Sequence, residues 1–292
     1  MKKNYIGRFA PSPSGPLHFG SLVAAVGSYL QAKSQNGKWL VRMEDLDPPR
    51  EIAGAADNIL RTLDAFKLQW DDQVIYQSHR HQVYQQQVDL WLEQQAAYFC
   101  QCTRKAIKQS GDFYQGTCRD LMLKDDRRAV RLKMMHPVES FIDRKLGSIS
   151  INPLLANEDF IIKRSDGLFA YNLAVVIDDI EQGITEVVRG ADLIEPTGRQ
   201  ISLYRQLGYR EIDYLHLPLA VDEDQKKLSK QNHAPAVDIR DKKKTLLQVF
   251  RFLGLEAEDS LKSLDLEQML QWAVDKWQIS LLPNESKITL PF

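Results

Sequence analysis

Apolar positions along the first half of the chain switch repeatedly between a short, strand-like period and a helical one. Tyr5–Ala10 reads as a strand that ends at the turn-forming Pro11-Ser12-Pro13. Leu17–Ala32 spreads apolar and small residues over helical length, and Trp39–Glu44 is a second strand. Pro48-Pro49 closes it, and a helix is expected over about Glu51–Phe66. Val74–Gln77 is strand-like, and His79–Gln95 predicts a polar-faced helix whose apolar positions include Val83, Leu90, Trp91 and Leu92. This β-α-β alternation predicts an α/β fold, with a Rossmann-type parallel sheet and nucleotide chemistry at the strand ends.

The rhythm breaks between Tyr98 and about Lys163, where Ala129–Met134, Ser140–Ile151 and Phe160–Lys163 are short strand-like runs. It resumes with a helix around Asn172–Asp179, a strand over Thr185–Arg189, a helix over Pro196–Leu207 and a strand over Tyr214–Val221. A polar loop, Asp222–Ala234, precedes a largely helical tail. The expected organisation is a Rossmann-type catalytic domain in two halves, 1–97 and 159–225. A subdomain of residues 98–158 lies between them, and 226–292 holds the polar loop and helical C-terminal region.

Composition adds limits rather than a function. The 292 residues, 43% apolar and 26% charged, suit a globular protein with a sizeable core. A net charge of −1 means that any RNA contact must use local basic patches. The apolar run before Leu40 is interrupted by Lys33, Gln35, Asn36 and Lys38, so no membrane association is expected. The N-terminus leads into the first strand without a signal-peptide core, which predicts a cytoplasmic protein. The three cysteines, Cys100, Cys102 and Cys118, fall in one short window. Soft ligands at that spacing suit a metal, and tetrahedral zinc would need a fourth partner from Asp112, Tyr114, Asp120 or water.

Two segments suggest nucleotide chemistry. Ala10–Ser21 joins the first strand to the first helix and places His18 at the helix start, where free backbone N–H groups favour phosphate. Gly20, Ala24 and Gly27 would leave one face of that helix without bulk, open to a flat purine, with Gly20 and Ser21 as ATP-binding candidates. The competing reading is a helix cap with small-residue packing. A Walker loop is excluded, because Ser21 stands where the lysine is required. Lys226-Lys227-Leu228-Ser229-Lys230-Gln231 follows a late strand, and Lys227, Ser229 and Lys230 suit a pyrophosphate leaving group. Alone it would be a solvated charge run.

Together these segments resemble the paired signatures of class I aminoacyl-tRNA synthetases. Arg8–Gly15, Leu40–Asp47, Asp166-Gly167, Tyr171–Val176 and Val188-Arg189-Gly190 are similar to glutamyl-tRNA synthetases, over about residues 4–235. Ser21 departs from the second histidine of the first signature, and Gln231 from the final serine of the second. The resemblance implies ATP with magnesium as substrate, His18 and Lys230 as catalytic groups, and L-glutamate as the amino acid. Arg8 and Arg189 would then face carboxylates and Glu44 the α-ammonium, with Tyr171, Ala10, Pro11 and Ser12 completing the pocket. It also implies one structural zinc held by Cys100, Cys102, Cys118 and Tyr114. Asp45 and Asp47 are expected to brace the Pro48-Pro49 turn, and Asp178-Asp179 the nucleotide loops.

Only about 60 residues follow Lys230, fewer than an anticodon-reading region would need. That resembles the truncated branch of the family, which attaches glutamate to the queuosine base of tRNA(Asp). The partner implied is a queuosine-bearing anticodon stem-loop, met by a monomer that activates glutamate without tRNA. Charging of the 3′ end of tRNA(Glu), a small-molecule nucleotidylyltransferase and a non-catalytic RNA-binding paralogue are the alternatives.

Overall fold

The computed structural model describes residues 4–124, 127–226 and 235–289. In chain order its elements are β1 (Ile6–Phe9), α1 (Phe19–Ser34), β2 (Lys38–Met43), α2 (Ala55–Ala65), β3 (Ile75–Tyr76), α3 (His81–Glu93) and β4 (Ala97–Cys100). There follow α4 (Arg104–Gln109), β5 (Ala129–Leu132), β6 (Ser140–Asp143), β7 (Gly147–Ser150), α5 (Pro153–Ala156) and β8 (Ile161–Lys163). The remainder are α6 (Tyr171–Glu181), β9 (Glu186–Gly190), α7 (Ile194–Gln206), β10 (Asp213–Leu217), β11 (Leu219–Val221), α8 (Lys242–Phe252), α9 (Leu266–Lys276) and β12 (Lys287–Thr289).

β1, β2 and β3 form a parallel sheet in which Ile6–Phe9 pair with Lys38–Val41 and Arg42 with Ile75. Parallel strands covered on both faces need near-continuous apolar runs, and Trp39, Val41 and Met43 are fully buried. α1 packs on this sheet through Leu22, Val26 and Leu30, all fully buried, each contributing about 1.5–3 kcal/mol over an exposed position. Its approach to β10 is set by Gly27, where a Cβ would lie 2.6 Å from Leu217 Cδ1. Gly27 therefore serves helix–strand packing and not, as the sequence suggested, a nucleotide face. α8 and α9 seal the same core with Leu246, Phe250, Met269 and Leu270.

A second sheet runs β7-β6-β10-β9, with β9 and β10 parallel from Asp213–Glu186 to Leu217–Gly190. Thr185 N donates to Ile6 O at 2.9 Å and sets this sheet beside the first. The run Ser140–Ile151, expected in the inserted subdomain, instead forms a hairpin whose β6 pairs with β10 at Asp143–Tyr214. Its buried Phe141 and Asp143 face the sheet core, so burial outweighs sequence proximity to the insertion. β4, β5 and β8 make a separate antiparallel sheet. The tail is not wholly helical either: β12 pairs in parallel with β11.

A candidate aminoacyl-adenylate site

The C-terminal ends of β1, β2 and β9 and the start of α1 converge on a cavity of about 340 Å³. Arg8, Ala10, Ser12, His18, Gly20, Ser21, Glu44, Tyr171 and Arg189 all line it. Pro11 is not in its wall, but its carbonyl accepts Glu44 N at 3.0 Å and so fixes the end of β2. Lys227, Ser229 and Lys230 lie outside the described residues. The chain on either side of them borders the site: Ala220 is in the cavity wall, and Ala236 bridges to His18. This position, outside the carboxyl ends of parallel strands, is where open α/β sheets hold ligands.

His18 caps α1. Its Nδ1 accepts Ser21 N at 3.3 Å, while Ser21 Oγ accepts His18 N at 3.3 Å. Ser21 is thus the reciprocal half of a capping box. An accepting Nδ1 places the proton of neutral His18 on Nε2, as a donor. The cap engages the ring through Nδ1.

The charged residues form a buried lattice. Asp179 accepts Arg8 Nε and Nη2 at 3.2 and 3.3 Å and ion-pairs with Arg42 Nη2 at 2.8 Å. Burial alone would raise the Asp179 carboxyl, but Arg8 and Arg42 outweigh it and hold it low. Arg42, fully buried, also reaches Gln182 Oε1 at 2.6 Å and Glu44 Oε1 at 3.4 Å. Glu44 is pushed above the ordinary carboxylate range by burial, against the pull of Arg42 and Arg8. Asp178 accepts from Gln77 Nε2 and Arg80 Nε, both at 2.7 Å, and from Tyr84 Oη at 2.8 Å. Asp178 and Asp179 therefore brace strand and helix cations, not nucleotide loops. Asp45 likewise holds Ser78, through N at 2.9 Å and Oγ at 2.6 Å, and only Asp47 braces the proline turn, by pairing with Arg50. Arg8's Nε–Nη2 edge is committed to Asp179, so what it offers the cavity it lines is its remaining Nη N–H groups.

Arg42, Asp143, Thr197 and His216 went unassigned in the sequence. Arg42 and His216 did carry a signal: each is a polar residue inside an apolar strand, Trp39–Met43 and Leu215–Leu217, where a buried polar group needs a partner.

Outside the cavity wall, the Cys100, Cys102 and Cys118 sulfurs all lie within 4.8 Å of one another, Cys102 and Cys118 at 3.5 Å. That is too long for a disulfide and near the roughly 3.8 Å between thiolates around tetrahedral zinc. Tyr114 Oη accepts Cys118 N at 2.7 Å, and Arg131 Nε lies 3.3 Å from Cys100 Sγ. Burial and the neighbouring sulfurs push the Cys102 thiol up to about 12. Three crowded soft donors fit a bound cation, which would offset their mutual repulsion as thiolates.

The fold and the cavity together are those of an α/β protein with a ligand-sized site at the carboxyl ends of its parallel strands. A family model described as tRNA synthetases class I (E and Q), catalytic domain, matches residues 6–276, and the chain belongs to that family. Among curated proteins it is similar to the glutamyl-Q tRNA(Asp) synthetase of Vibrio parahaemolyticus, 61% identical over 99% of this chain and 97% of that protein. The protein of the same name from Vibrio cholerae is 60% identical over 99% of this chain and 95% of its own length. Among solved structures, a glutamate tRNA ligase from Elizabethkingia meningosepticum in complex with its amino acid has the same fold. Its TM-score is 0.79 at 23% identity, covering 98% of this chain and 67% of that one. Among the described residues no helix is long and apolar enough to cross a membrane.

Proposed function

We propose that this protein activates L-glutamate with ATP and magnesium, without tRNA, and transfers it to the queuosine base in the anticodon loop of tRNA(Asp). The observation that carries this reading is full-length likeness to proteins of that name, at 54–62% identity, in a chain whose cavity gathers Arg8, Glu44, Tyr171 and Arg189. In the reaction a carboxylate oxygen of glutamate attacks the α-phosphorus of ATP and pyrophosphate leaves. Arg189 and Arg8 face the substrate carboxylates, and Glu44 holds the ammonium. His18 Nε2–H donates to phosphate, and Lys227, Ser229 and Lys230 neutralise the departing pyrophosphate. Ala10, Pro11 and Ser12 wall the amino-acid side, and Gly20 and Ser21 the nucleotide side. A structural zinc on Cys100, Cys102, Cys118 and Tyr114 stiffens the inserted subdomain, which faces the RNA. The enzyme acts as a monomer in the cytoplasm.

The experiment incubates the protein, ATP and labelled glutamate with tRNA(Asp) carrying or lacking queuosine, and with tRNA(Glu). Label is expected only on queuosine-containing tRNA(Asp), and an isolated anticodon stem-loop should suffice. Labelling of the 3′ end of tRNA(Glu) would make the protein a minimal glutamyl-tRNA synthetase instead.

A further inference from the structure

Arg189 carries five N–H donors, and most of them are already bound. Nε donates to His216 Nε2 at 3.3 Å, and Nη2 to Thr197 Oγ1 at 2.7 Å and Leu193 O at 3.1 Å. Nη1 donates to Tyr171 Oη at 3.3 Å, which leaves one Nη1 N–H for the cavity that Arg189 lines. The aim of that last donor is set by what grips the other four.

His216 is the informative member of the grip. A guanidinium has no acceptor, so the Arg189 contact needs a bare His216 Nε2; Thr197 Oγ1 also lies 3.3 Å from Nε2, with its own proton given to Leu193 O at 2.8 Å. The ring proton then lies on Nδ1, which is 2.7 Å from Asp143 Oδ2. Asp143 is fixed in turn: Oδ2 also accepts His216 N at 3.0 Å, and Oδ1 accepts Lys145 N at 2.9 Å and Leu146 N at 2.8 Å. Every one of these neighbours is a donor, so Asp143 can serve them only as a carboxylate. Asp143 and His216 both have fully buried side chains. The opposite tautomer would leave a bare Nδ1 2.7 Å from a carboxylate oxygen, two acceptors face to face, and would turn Nε2–H against Arg189 Nε–H with only Thr197 Oγ1, 3.3 Å away, to receive it.

We infer that Asp143 and His216 are a positioning relay, in which the carboxylate fixes the Nδ1–H tautomer and the bare Nε2 turns Arg189 toward the carboxylate of the substrate. The inference rests on the reading that this cavity takes glutamate. It assigns a substrate-orienting task to β6, a strand that borders the inserted segment and does not touch the cavity. Neither residue is a catalytic residue, since both act through Arg189.

The test is pyrophosphate exchange with His216→Phe and His216→Gln, reading the KM for glutamate, the KM for ATP and kcat separately. Phe fills the space without an acceptor, and the glutamate KM should rise roughly 10- to 100-fold, as for loss of a hydrogen bond to a charged group, with the ATP KM nearly unchanged. Gln offers an amide oxygen near the position of Nε2 and should recover most of the loss. In ¹⁵N NMR of the wild type, His216 should show Nδ1 protonated and Nε2 bare. An Nε2-protonated ring, an unchanged glutamate KM in His216→Phe, or equal loss of glutamate and ATP affinity in both variants would overturn the relay. If His216→Phe does not fold, the ¹⁵N spectrum decides. Wild-type exchange driven by some amino acid other than glutamate would be a failure of the functional reading instead.

Discussion

Asp179→Asn is the substitution for which the lattice predicts the largest loss from the smallest change in shape. The carboxylate is almost fully buried and meets two guanidiniums, Arg8 at 3.2 and 3.3 Å and Arg42 at 2.8 Å. An amide of the same size keeps one acceptor oxygen, so the packing survives while the charge is lost. Breaking a buried pair from one side costs about 3–5 kcal/mol, because the partner remains charged in a poor solvent. Against a total stability of about 5–15 kcal/mol that is a large share. At roughly 2 °C per kcal/mol for a chain of this length, the melting midpoint should fall by about 6–10 °C. Urea denaturation gives the free energy directly, with the slope m unchanged if only stability has moved. The loss should depend on pH with a definite sign. Asp179 is held below the usual range in the folded protein, so its contribution is complete above an unfolded pKa of about 4 and disappears as the pH falls through the folded value. The difference between the two proteins should therefore narrow in acid. Released from Asp179, Arg8 should also bind glutamate less selectively, raising its KM. A variant within about 1 kcal/mol of wild type at neutral pH, with the same glutamate KM, would show that the lattice does not hold Arg8 in place.

Lys230→Ala should lower kcat of pyrophosphate exchange by roughly 2–4 kcal/mol of barrier with little change in KM, and an unaltered kcat would remove the lysine from the reaction. Glu44 is raised by burial, and a protonated carboxyl cannot hold an ammonium. The glutamate KM should thus climb as the pH falls through that raised value, and an acid limb that persists in Glu44→Gln would point to another group. Metal analysis should find about one zinc per chain, lost in Cys118→Ser with transfer to RNA impaired more than activation. Metal-free wild-type protein whose three thiols all react quickly with a thiol reagent would favour plain buried cysteines.

Much of this site was legible in the sequence because its parts sit at the ends of short strands, where apolar runs stop at a polar residue. Arg8, Glu44 and Arg189 are all of that kind, and parallel pairing brings such ends together. The first helix and its cap were legible for a similar local reason, since His18 follows a proline–glycine loop and opens an apolar run. What stayed hidden depends on pairing between distant segments. Asp143 lies in a four-residue strand whose sequence neighbours belong to the insertion, and only its register against Tyr214 carries it to His216. Arg42 was visible as a charge within an apolar strand, but nothing local says that its partners are Asp179 and Gln182, some 140 residues away. The roles first given to Gly27, Asp45 and Asp178 failed in the same way. Small or acidic residues near a loop or turn were read as serving it, whereas their tertiary neighbours are Leu217, Ser78 and Arg80.

The pairing of β12 with β11 has a consequence for how the protein is made. Leu219 N donates to Ser286 O at 2.9 Å, and Leu219–Val221 run in register with Lys287–Thr289. Leu219 and Ala220 are also part of the cavity wall. A ribosome delivers the chain from its N-terminus, so β1 and α1 emerge long before the strand that pairs with β11. Until residues 287–289 arrive, β11 is left with an open edge beside the cavity. Completion of this cavity wall therefore waits on residues 287–289, and a substitution that breaks the β11–β12 pairing acts on Leu219 and Ala220 although it lies more than two hundred residues from His18 in sequence.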